Sequence, residues 1–317
     1  GDKYNALLYI TQINGTDVEH MEARKHFDDL TPVYSTRRLI LDSARHPDIR
    51  LVDLIAPMGL GSRTLMLFPP DCSKRMFLTH LANAILAKNE NMDVVMLLMD
   101  FTPEDVTAIR DEVSCPVLAT TFDMTPEIQM RLIDLAQERA HRLTENGRDV
   151  VLIVDSLTRL VRTFAAASPQ GRQSGGVVNS AALFRAKKLF GAARCAREGG
   201  SLTVLATMDI ENGQKVDDAI VEEFRANANT EIVMDVGIAR LNMYPPVHYS
   251  RTRSHRPELL LDEKELEGLV ALREILAGGS PANAVEQMLG LIEKVGSNED
   301  ILQKIKSWSA LMSGASR

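Results

Sequence analysis

The sequence predicts an α/β protein built around a mainly parallel, doubly wound β-sheet. From residue 49 onward, short apolar runs alternate with stretches that have helical periodicity. The runs are continuous rather than alternating, as expected for strands that helices cover on both faces. This alternation of strands and helices is typical of an open sheet whose ligands bind at the carboxyl ends of its strands.

Six apolar runs are predicted strands, and two helices have clear starting signals. The strands are residues 64–68, 94–99, 117–121, 150–154, 202–206 and 231–236. Thr102 and Thr125 are each followed by proline and glutamate, which predicts an N-cap, a proline in the first turn and an acidic first turn. The second helix is expected to end near Gly147. The tail from Pro281 onward is expected to form two amphipathic helices.

The N-terminal segment has a different pattern from the rest of the chain. Residues 4–10 predict a strand, and a second short strand is predicted near Phe27. Two strands are too few to close a core of their own. We therefore interpret residues 1–30 as the end of a small β-domain whose beginning is absent, residues 31–48 as a polar linker and residues 49–317 as the α/β core.

Composition restricts the class of protein. Of the 317 residues, 45% are hydrophobic and 25% are charged, which is ordinary for a soluble globular protein. No apolar run is long enough to span a membrane, and no signal-peptide pattern opens the chain. The cysteines have no paired metal-binding spacing, which favours reduced thiols and a cytoplasmic protein.

Charge is unevenly distributed along the chain. The net charge of −7 argues against general attraction to nucleic acid. One segment nevertheless contains eight cations and no acidic residue: Arg159, Arg162, Arg172, Arg185, Lys187, Lys188, Arg194 and Arg197. This segment predicts a local surface that binds RNA or phosphate, and the alternative is an ordinary solvated helix face.

A carboxylate and an altered loop indicate nucleotide chemistry. Asp155 ends an apolar run, where an aspartate can hold Mg²⁺ against nucleotide phosphates. Upstream, residues 68–75 occupy the position of a phosphate-binding loop, which normally reads G-x-x-x-x-G-K-[ST]. Only Lys74 of that motif is kept, because Ser73 replaces the glycine and Arg75 replaces the hydroxyl residue.

The chain resembles the transcription termination factor Rho family, the hexameric RNA-dependent ATPases and helicases of bacteria. The segments that carry the resemblance are residues 1–8, 30–32, 52–63, 190–194, 198–203 and 217–224. The resemblance implies a RecA-like P-loop NTPase core preceded by the remnant of an OB-type RNA-binding domain. It also implies ATP and Mg²⁺ as cofactors, RNA as a ligand, a homo-hexamer or a mixed ring with Rho, and RNA polymerase as a further partner.

The resemblance assigns nucleotide contacts to positions in several segments. They are Gly59, Gly61, Arg63, Asp71, Cys72, Ser73, Lys74, Arg75, Met76, Thr102 and Tyr244. The family's loop glycine lets backbone amides curl around phosphate at positive φ, so a side chain at Ser73 is expected to cost about 1–3 kcal/mol. Arg75 cannot ligate a metal, which places Mg²⁺ in doubt and suggests that Arg75 itself binds phosphate. Tyr244 matches the aromatic residue that stacks on adenine.

The resemblance also assigns catalytic positions. They are Asp155, which would hold Mg²⁺ if the metal binds, Arg159 and Arg251. The glutamate that polarises the attacking water is replaced by Phe101, and a general base contributes about 10²–10⁴-fold in rate. The arginine that reaches into a neighbouring subunit falls on His255, with Arg253 and Arg256 close beside it.

Two segments resemble the loops that contact RNA in the central pore of the family's ring. The first is residues 169–176, with Arg172, Gly175 and Gly176, and the second is residues 212–215, with Lys215. Ring assembly would concentrate the charge of Arg172 and Lys215 around one axis. The alternative is that both are solvated loop charges.

Three functions are compatible with these residues. The first is a Rho-type factor that terminates transcription, with weak or absent ATP hydrolysis. The second is a non-catalytic relative of Rho that acts as a binding or regulatory subunit. The third is another RecA-like nucleotide-binding protein, which Tyr244 and the two pore-loop segments disfavour.

Overall fold

The computed structural model describes residues 7–13, 16–18, 24–167 and 179–314. The first predicted pore loop, with Arg172, Gly175 and Gly176, lies outside these residues. Within the described parts of the chain, no helix is both long enough and apolar enough to cross a membrane.

A mainly parallel sheet forms the centre of the protein. The strands are β1 (Gln12–Ile13), β2 (Thr16–Asp17), β3 (Pro32–Val33), β4 (Arg38–Leu39), β5 (Met58–Gly59), β6 (Arg63–Phe68), β7 (Met92–Phe101), β8 (Val117–Thr121), β9 (Asp149–Asp155), β10 (Arg194–Ala196), β11 (Ser201–Asp209), β12 (Thr230–Val233) and β13 (Arg253–Ser254). The order across the central sheet is β13-β12-β6-β11-β9-β7-β8, and only β13 on this path pairs antiparallel.

Helices cover both faces of this sheet. They are α1 (Pro47–Ile55), α2 (Lys74–Lys88), α3 (Pro103–Glu112), α4 (Pro126–Glu145), α5 (Leu157–Ala167), α6 (Ser180–Gly191), α7 (Lys215–Arg225), α8 (Val236–Arg240), α9 (Glu263–Leu276), α10 (Pro281–Lys294) and α11 (Asn298–Gly314). Alternate residues of β6 enter opposite cores: Met66 and Phe68 join one, and Leu65 and Leu67 join the other. The predicted doubly wound α/β fold is therefore confirmed.

Most of the predicted strands are present. Strand β8 coincides with the predicted run, and β6, β7, β9 and β11 contain theirs. The prediction for residues 231–236 is wrong at its end, because β12 stops at Val233. The side chain of Asp235 there accepts a hydrogen bond from the backbone N–H of Ile238 and starts α8.

The N-terminal strand predictions are wrong wherever the structure describes them. Residues 7–10 are exposed and form no strand. Within the described segments their backbone pairs with no other strand, and their apolar side chains are not buried. Phe27 lies in a short 3-10 helix, Phe27–Asp29, and its buried ring stacks on His141 with centroids 3.8 Å apart. The side chain of Glu145 accepts a hydrogen bond from the backbone N–H of Phe27 at 2.8 Å. This segment is thereby attached to the α/β core.

The C-terminal tail forms the two predicted helices, and α11 packs closely against α9. A Cβ atom added to Gly268 of α9 would lie 1.7 Å from the carbonyl oxygen of Leu302 in α11. Residue 268 is therefore restricted to glycine, because any side chain would push the two helices apart.

We predict that Gly268→Ala lowers the free energy of unfolding by about 1–3 kcal/mol, since overpacking outweighs the helix propensity gained. Urea unfolding followed by circular dichroism measures the change. Gly290→Ala is the matched control, because Gly290 lies in α10 with no atom within 4 Å of the added methyl group. The control is expected to be neutral or up to about 1 kcal/mol stabilising, and equal losses in both variants would contradict the packing argument.

Candidate functional site

Three charged side chains meet at the carboxyl ends of the central strands. Lys74 begins α2 just after β6, Asp155 ends β9 and Asp209 ends β11. The Lys74 ammonium forms an ion pair with Asp209, and its Nζ lies 3.7 Å from Asp155 Oδ1. Thr207 donates a hydrogen bond of 2.6 Å to the same Asp155 oxygen. We call these three charged residues the Lys74 cluster.

The electrostatics of the Lys74 cluster hold the lysine as a cation. Asp155 is almost fully buried, and burial raises the pKa of its carboxyl while Lys74 opposes that shift. Burial acts to lower the pKa of Lys74, but the carboxylates of Asp155 and Asp209 outweigh it and raise that pKa. A phosphate that binds Lys74 must therefore compete with two carboxylates already in place.

The loop before α2 differs from the expectation of strain at Ser73. Ser73 has φ −66° and ψ 116°, which an ordinary residue adopts without cost, so the expected penalty is absent. The left-handed residue is Asp71, with φ 68°, and aspartate tolerates that region better than most side chains. Next to it, burial raises the pKa of the Cys72 thiol to about 11, so this cysteine stays protonated.

Arg75 is directed away from the Lys74 cluster. Its Nη1 lies 3.0 Å from Glu112 Oε1, and its Nε lies 3.8 Å from Asp105 Oδ1. Both acids belong to α3, so these ion pairs of Arg75 connect α2 to α3. This arrangement does not support the expectation that Arg75 binds phosphate in place of Mg²⁺. The following residue, Met76, is exposed.

The residues of this edge do not fit Mg²⁺ as they are arranged. The Lys74 ammonium lies against the carboxylates that would ligate the ion, and Thr207 also uses an oxygen of Asp155. The position that should supply a hydroxyl ligand holds Arg75, a cation that repels a metal. Mg²⁺ requires near-ideal octahedral oxygen ligation, which these side chains do not offer without moving Lys74.

Phe101, at the expected general-base position, packs against the protein core and carries no group that could act as a base. The ring of Phe101 is half-buried and packs against the hydrophobic core. The pairing of β7 with β8 shifts register between Leu98 and Phe101, and Asp100 within this bulge has φ 59°. The Asp100 carboxylate accepts hydrogen bonds from Gln129 at 2.7 Å and Arg159 at 3.1 Å. Both of its oxygens are therefore engaged.

Two other assigned positions border the same edge. Thr102 caps α3, and its hydroxyl accepts a hydrogen bond from the backbone N–H of Asp105. Tyr244 is half-buried, with its ring edge-on to His80 at a centroid distance of 6.3 Å. Burial raises the pKa of the Tyr244 phenol, and Asp48 adds to the shift. The phenol of Tyr244 is thus uncharged at neutral pH.

Three assigned nucleotide positions do not join this site. Gly59, Gly61 and Arg63 lie at the amino ends of the strands, at the opposite edge of the sheet from Lys74. Gly61 has φ 76° and packs against the backbone of residues 194–195, where a Cβ would come within 2.4 Å. Together these three line a separate cavity of about 410 Å³ beside residues 32–35.

The expected finger position, His255, and its neighbours Arg253 and Arg256 lie in or next to the outer strand β13, close to the catalytic candidate Arg251. Arg253 and His255 both contact the buried carboxylate of Glu231, at 3.1 Å and 3.5 Å. The remaining pairs are Arg251 with Glu211 at 3.5 Å and Arg256 with Glu258 at 3.1 Å. None of these four cations contacts the Lys74 cluster of its own chain.

Four of the eight cations in the acid-free segment are paired with acids from other elements. Its ion pairs are Arg159 with Asp100, Arg162 with Asp217, Arg185 with Asp134 and Lys187 with Glu223. The charge of the expected local anion-binding surface is therefore reduced at these four residues, because sequence-local charge takes no account of partners across the fold. Lys215 is exposed at the start of α7, and no ion pair is seen for it in the described chain.

Sequence reasoning missed Asp209. The predicted strand ended at residue 206, whereas β11 continues for three more residues and places this carboxylate beside Lys74. The signal was the apolar Met208, which extends the run to an aspartate at the strand's carboxyl end. The same pattern had singled out Asp155.

Comparison with known proteins agrees with this geometry. Residues 48–254 match the ATP synthase alpha/beta family, nucleotide-binding domain. An ATPase from the type III secretion system of pathogenic bacteria shares the fold, with a TM-score of 0.73, 19% identity and coverage of 88% of this chain and 87% of that one.

Two sequence relatives are much more similar. The transcription termination factor Rho of Thermotoga maritima is 39% identical over 309 residues, covering 96% of this chain and 72% of the relative. The Rho of Bacillus subtilis is 36% identical over 301 residues, covering 94% and 70%. With the α/β RecA-like P-loop fold and the lysine at its carboxyl edge, this similarity shows that the chain belongs to the transcription termination factor Rho family.

Proposed function

We propose that this protein is a Rho-type, ring-forming RNA-binding factor in transcription termination, with a site that holds ATP but hydrolyses it very weakly or not at all. The observation that carries the proposal is the state of Phe101 and Asp100. The general-base position holds a packed phenylalanine, and the neighbouring carboxylate has both oxygens bound by Gln129 and Arg159. Phe101 supplies no carboxylate to orient the attacking water, and Asp100 is held in place by its two partners.

Nucleotide binding is supported by the parts of the site that remain. Lys74 begins a helix whose first amides point toward the loop, and a helix N-terminus attracts phosphate. Ser73 does not cap that helix with its side chain, which leaves those amides to a ligand. Tyr244 offers an uncharged ring for the base.

RNA binding and ring assembly are supported by the relatives and by the exposed cations. The relatives are named as transcription termination factors, and the chain matches them along 96% and 94% of its length. Lys215 lies exposed in the segment that resembles a pore loop. Arg253, His255 and Arg256 are exposed at the outer strand of the sheet, where a neighbouring subunit, of the same chain or of a Rho, would meet them.

We predict that RNA-stimulated ATP turnover is at least about 10²-fold below that of Thermotoga maritima Rho assayed in parallel, because the general base is absent. The triple variant Ser73→Gly/Arg75→Thr/Phe101→Glu is expected to raise turnover, and phosphate release measures it. The matched control Ser73→Gly/Arg75→Thr keeps Phe101 and is expected to remain inactive. Turnover of the unaltered chain near that of the relative would overturn the proposal.

We predict that ATP binds with similar affinity with Mg²⁺ and with EDTA, since the residues of the site do not fit the metal. Calorimetry should give dissociation constants within about threefold of each other. Lys74→Met is expected to weaken binding about 10–100-fold by removing a charge-assisted contact. Lys88→Met, at the exposed far end of the same helix, should leave binding unchanged. Strict dependence on Mg²⁺ would contradict the assigned geometry.

We predict that Lys215→Ala weakens binding of a fluorescent single-stranded RNA and reduces the salt dependence of that binding. One lost phosphate contact lowers the log–log slope by about 0.7. Lys264→Ala removes an equally exposed lysine from α9 and serves as the control. Identical affinities and slopes for both variants would show that Lys215 does not contact RNA.

A further inference from the structure

A group of metal-ligating side chains lies outside the Lys74 cluster. His46 is the N-cap residue of α1, Asp48 is in the first turn of that helix, and His80 is in α2. Each offers one ligand atom, and these atoms all lie within 4.8 Å of one another. Two separate helices thus bring two imidazoles and a carboxylate to one point.

The geometry of this group is compact, with Asp48 buried and the two histidines partly buried. Asp48 Oδ2 and His80 Nδ1 are 2.7 Å apart, and the side chain of Asp48 is only 5% exposed. The rings of His46 and His80 have centroids 4.6 Å apart and are tilted by 38°. The three residues therefore converge from different directions rather than lying in a row.

One ring nitrogen of this group has no partner within the described chain. His46 Nδ1 is buried and has no hydrogen-bond partner in the described chain. Buried polar atoms are nearly always paired, so an unpaired one invites a search for a missing ligand. An imidazole nitrogen that lies beside a second imidazole and a carboxylate is suited to a cation as its partner.

We propose that His46, Asp48 and His80 form a binding site for a divalent transition metal ion, for which Zn²⁺ is the best match. Zinc prefers imidazole nitrogen and carboxylate oxygen, and three protein ligands leave a fourth position for water. Two imidazoles disfavour Mg²⁺ and Ca²⁺, which take oxygen ligands. The site does not depend on the function proposed above.

The position of the site gives the metal a structural consequence. It joins α1 to α2, the helix that begins with Lys74. Tyr244 packs its ring edge against His80. A bound ion would hold the His80 imidazole in one orientation. It would thereby restrict the position of the Tyr244 ring, which is expected to face a nucleotide base.

The test uses the full chain without a polyhistidine tag, freed of metal by a chelator and titrated with Co²⁺ and then Zn²⁺. A visible d–d absorption band is expected to saturate at one Co²⁺ per chain and to disappear when Zn²⁺ displaces it. His46→Asn and His80→Asn are each expected to lower the Co²⁺ affinity at least about tenfold. His26→Asn removes an exposed histidine beside the Phe27–Asp29 helix and should leave the affinity unchanged.

A second variant separates ligation from loss of folding. His80→Cys keeps a ligand and is expected to add a thiolate-to-cobalt charge-transfer band, which only a coordinating sulfur produces. The proposal is overturned if the unaltered chain gives no d–d band. It is also overturned if the band persists at the same affinity in the two asparagine variants, or if His80→Cys binds Co²⁺ without the charge-transfer band.

Discussion

The edge of the sheet where the central strands end depends on the pairing of one partly buried lysine with two aspartates. Asp155 is almost fully buried, and an ionised carboxylate at that depth is costly unless a cation is near. Lys74 supplies that cation, and it does so only because β6, β9 and β11 run parallel and end at the same edge. A shift in the register of these three strands would therefore also separate Lys74 from the two aspartates. A phosphate can enter only by taking part in that balance.

The substitutions around this cluster have acquired contacts of their own. Arg75 forms ion pairs with Asp105 and Glu112, Phe101 packs into the core, and Asp100 is bound by Gln129 and Arg159. Exposed ion pairs such as that of Arg75 contribute little to stability, but they decide where a flexible guanidinium points. The site is thus an ordered arrangement, in which Arg75, Phe101 and Asp100 each pack or pair within the chain.

Sequence reasoning was most reliable where a pattern is local. Continuous apolar runs gave the parallel strands and the place of Lys74 and Asp155, because burial on both faces leaves a direct record in composition. It was unreliable where partners come from distant segments: the acid-free stretch is balanced by Asp217, Asp134 and Glu223, which spacing along the chain does not reveal. The left-handed backbone of Asp100 depends on a bulge between two strands. The proximity of His46 and His80 depends on the packing of two helices. Neither leaves a local pattern in the sequence.

Helix α5 has a mechanical property that follows from two arginines one turn apart. It starts just after Asp155, its Arg159 binds Asp100 at the nucleotide edge, and its Arg162 binds the buried Asp217 two residues after Lys215. The same continuous helix therefore contacts both regions, through two arginines three residues apart. Displacing the start of α7 relative to Asp100 breaks at least one of these ion pairs, and the arginines of both are about half exposed. Helix α5 thus links the Asp100 carboxylate to the first turn of α7, which begins with Lys215.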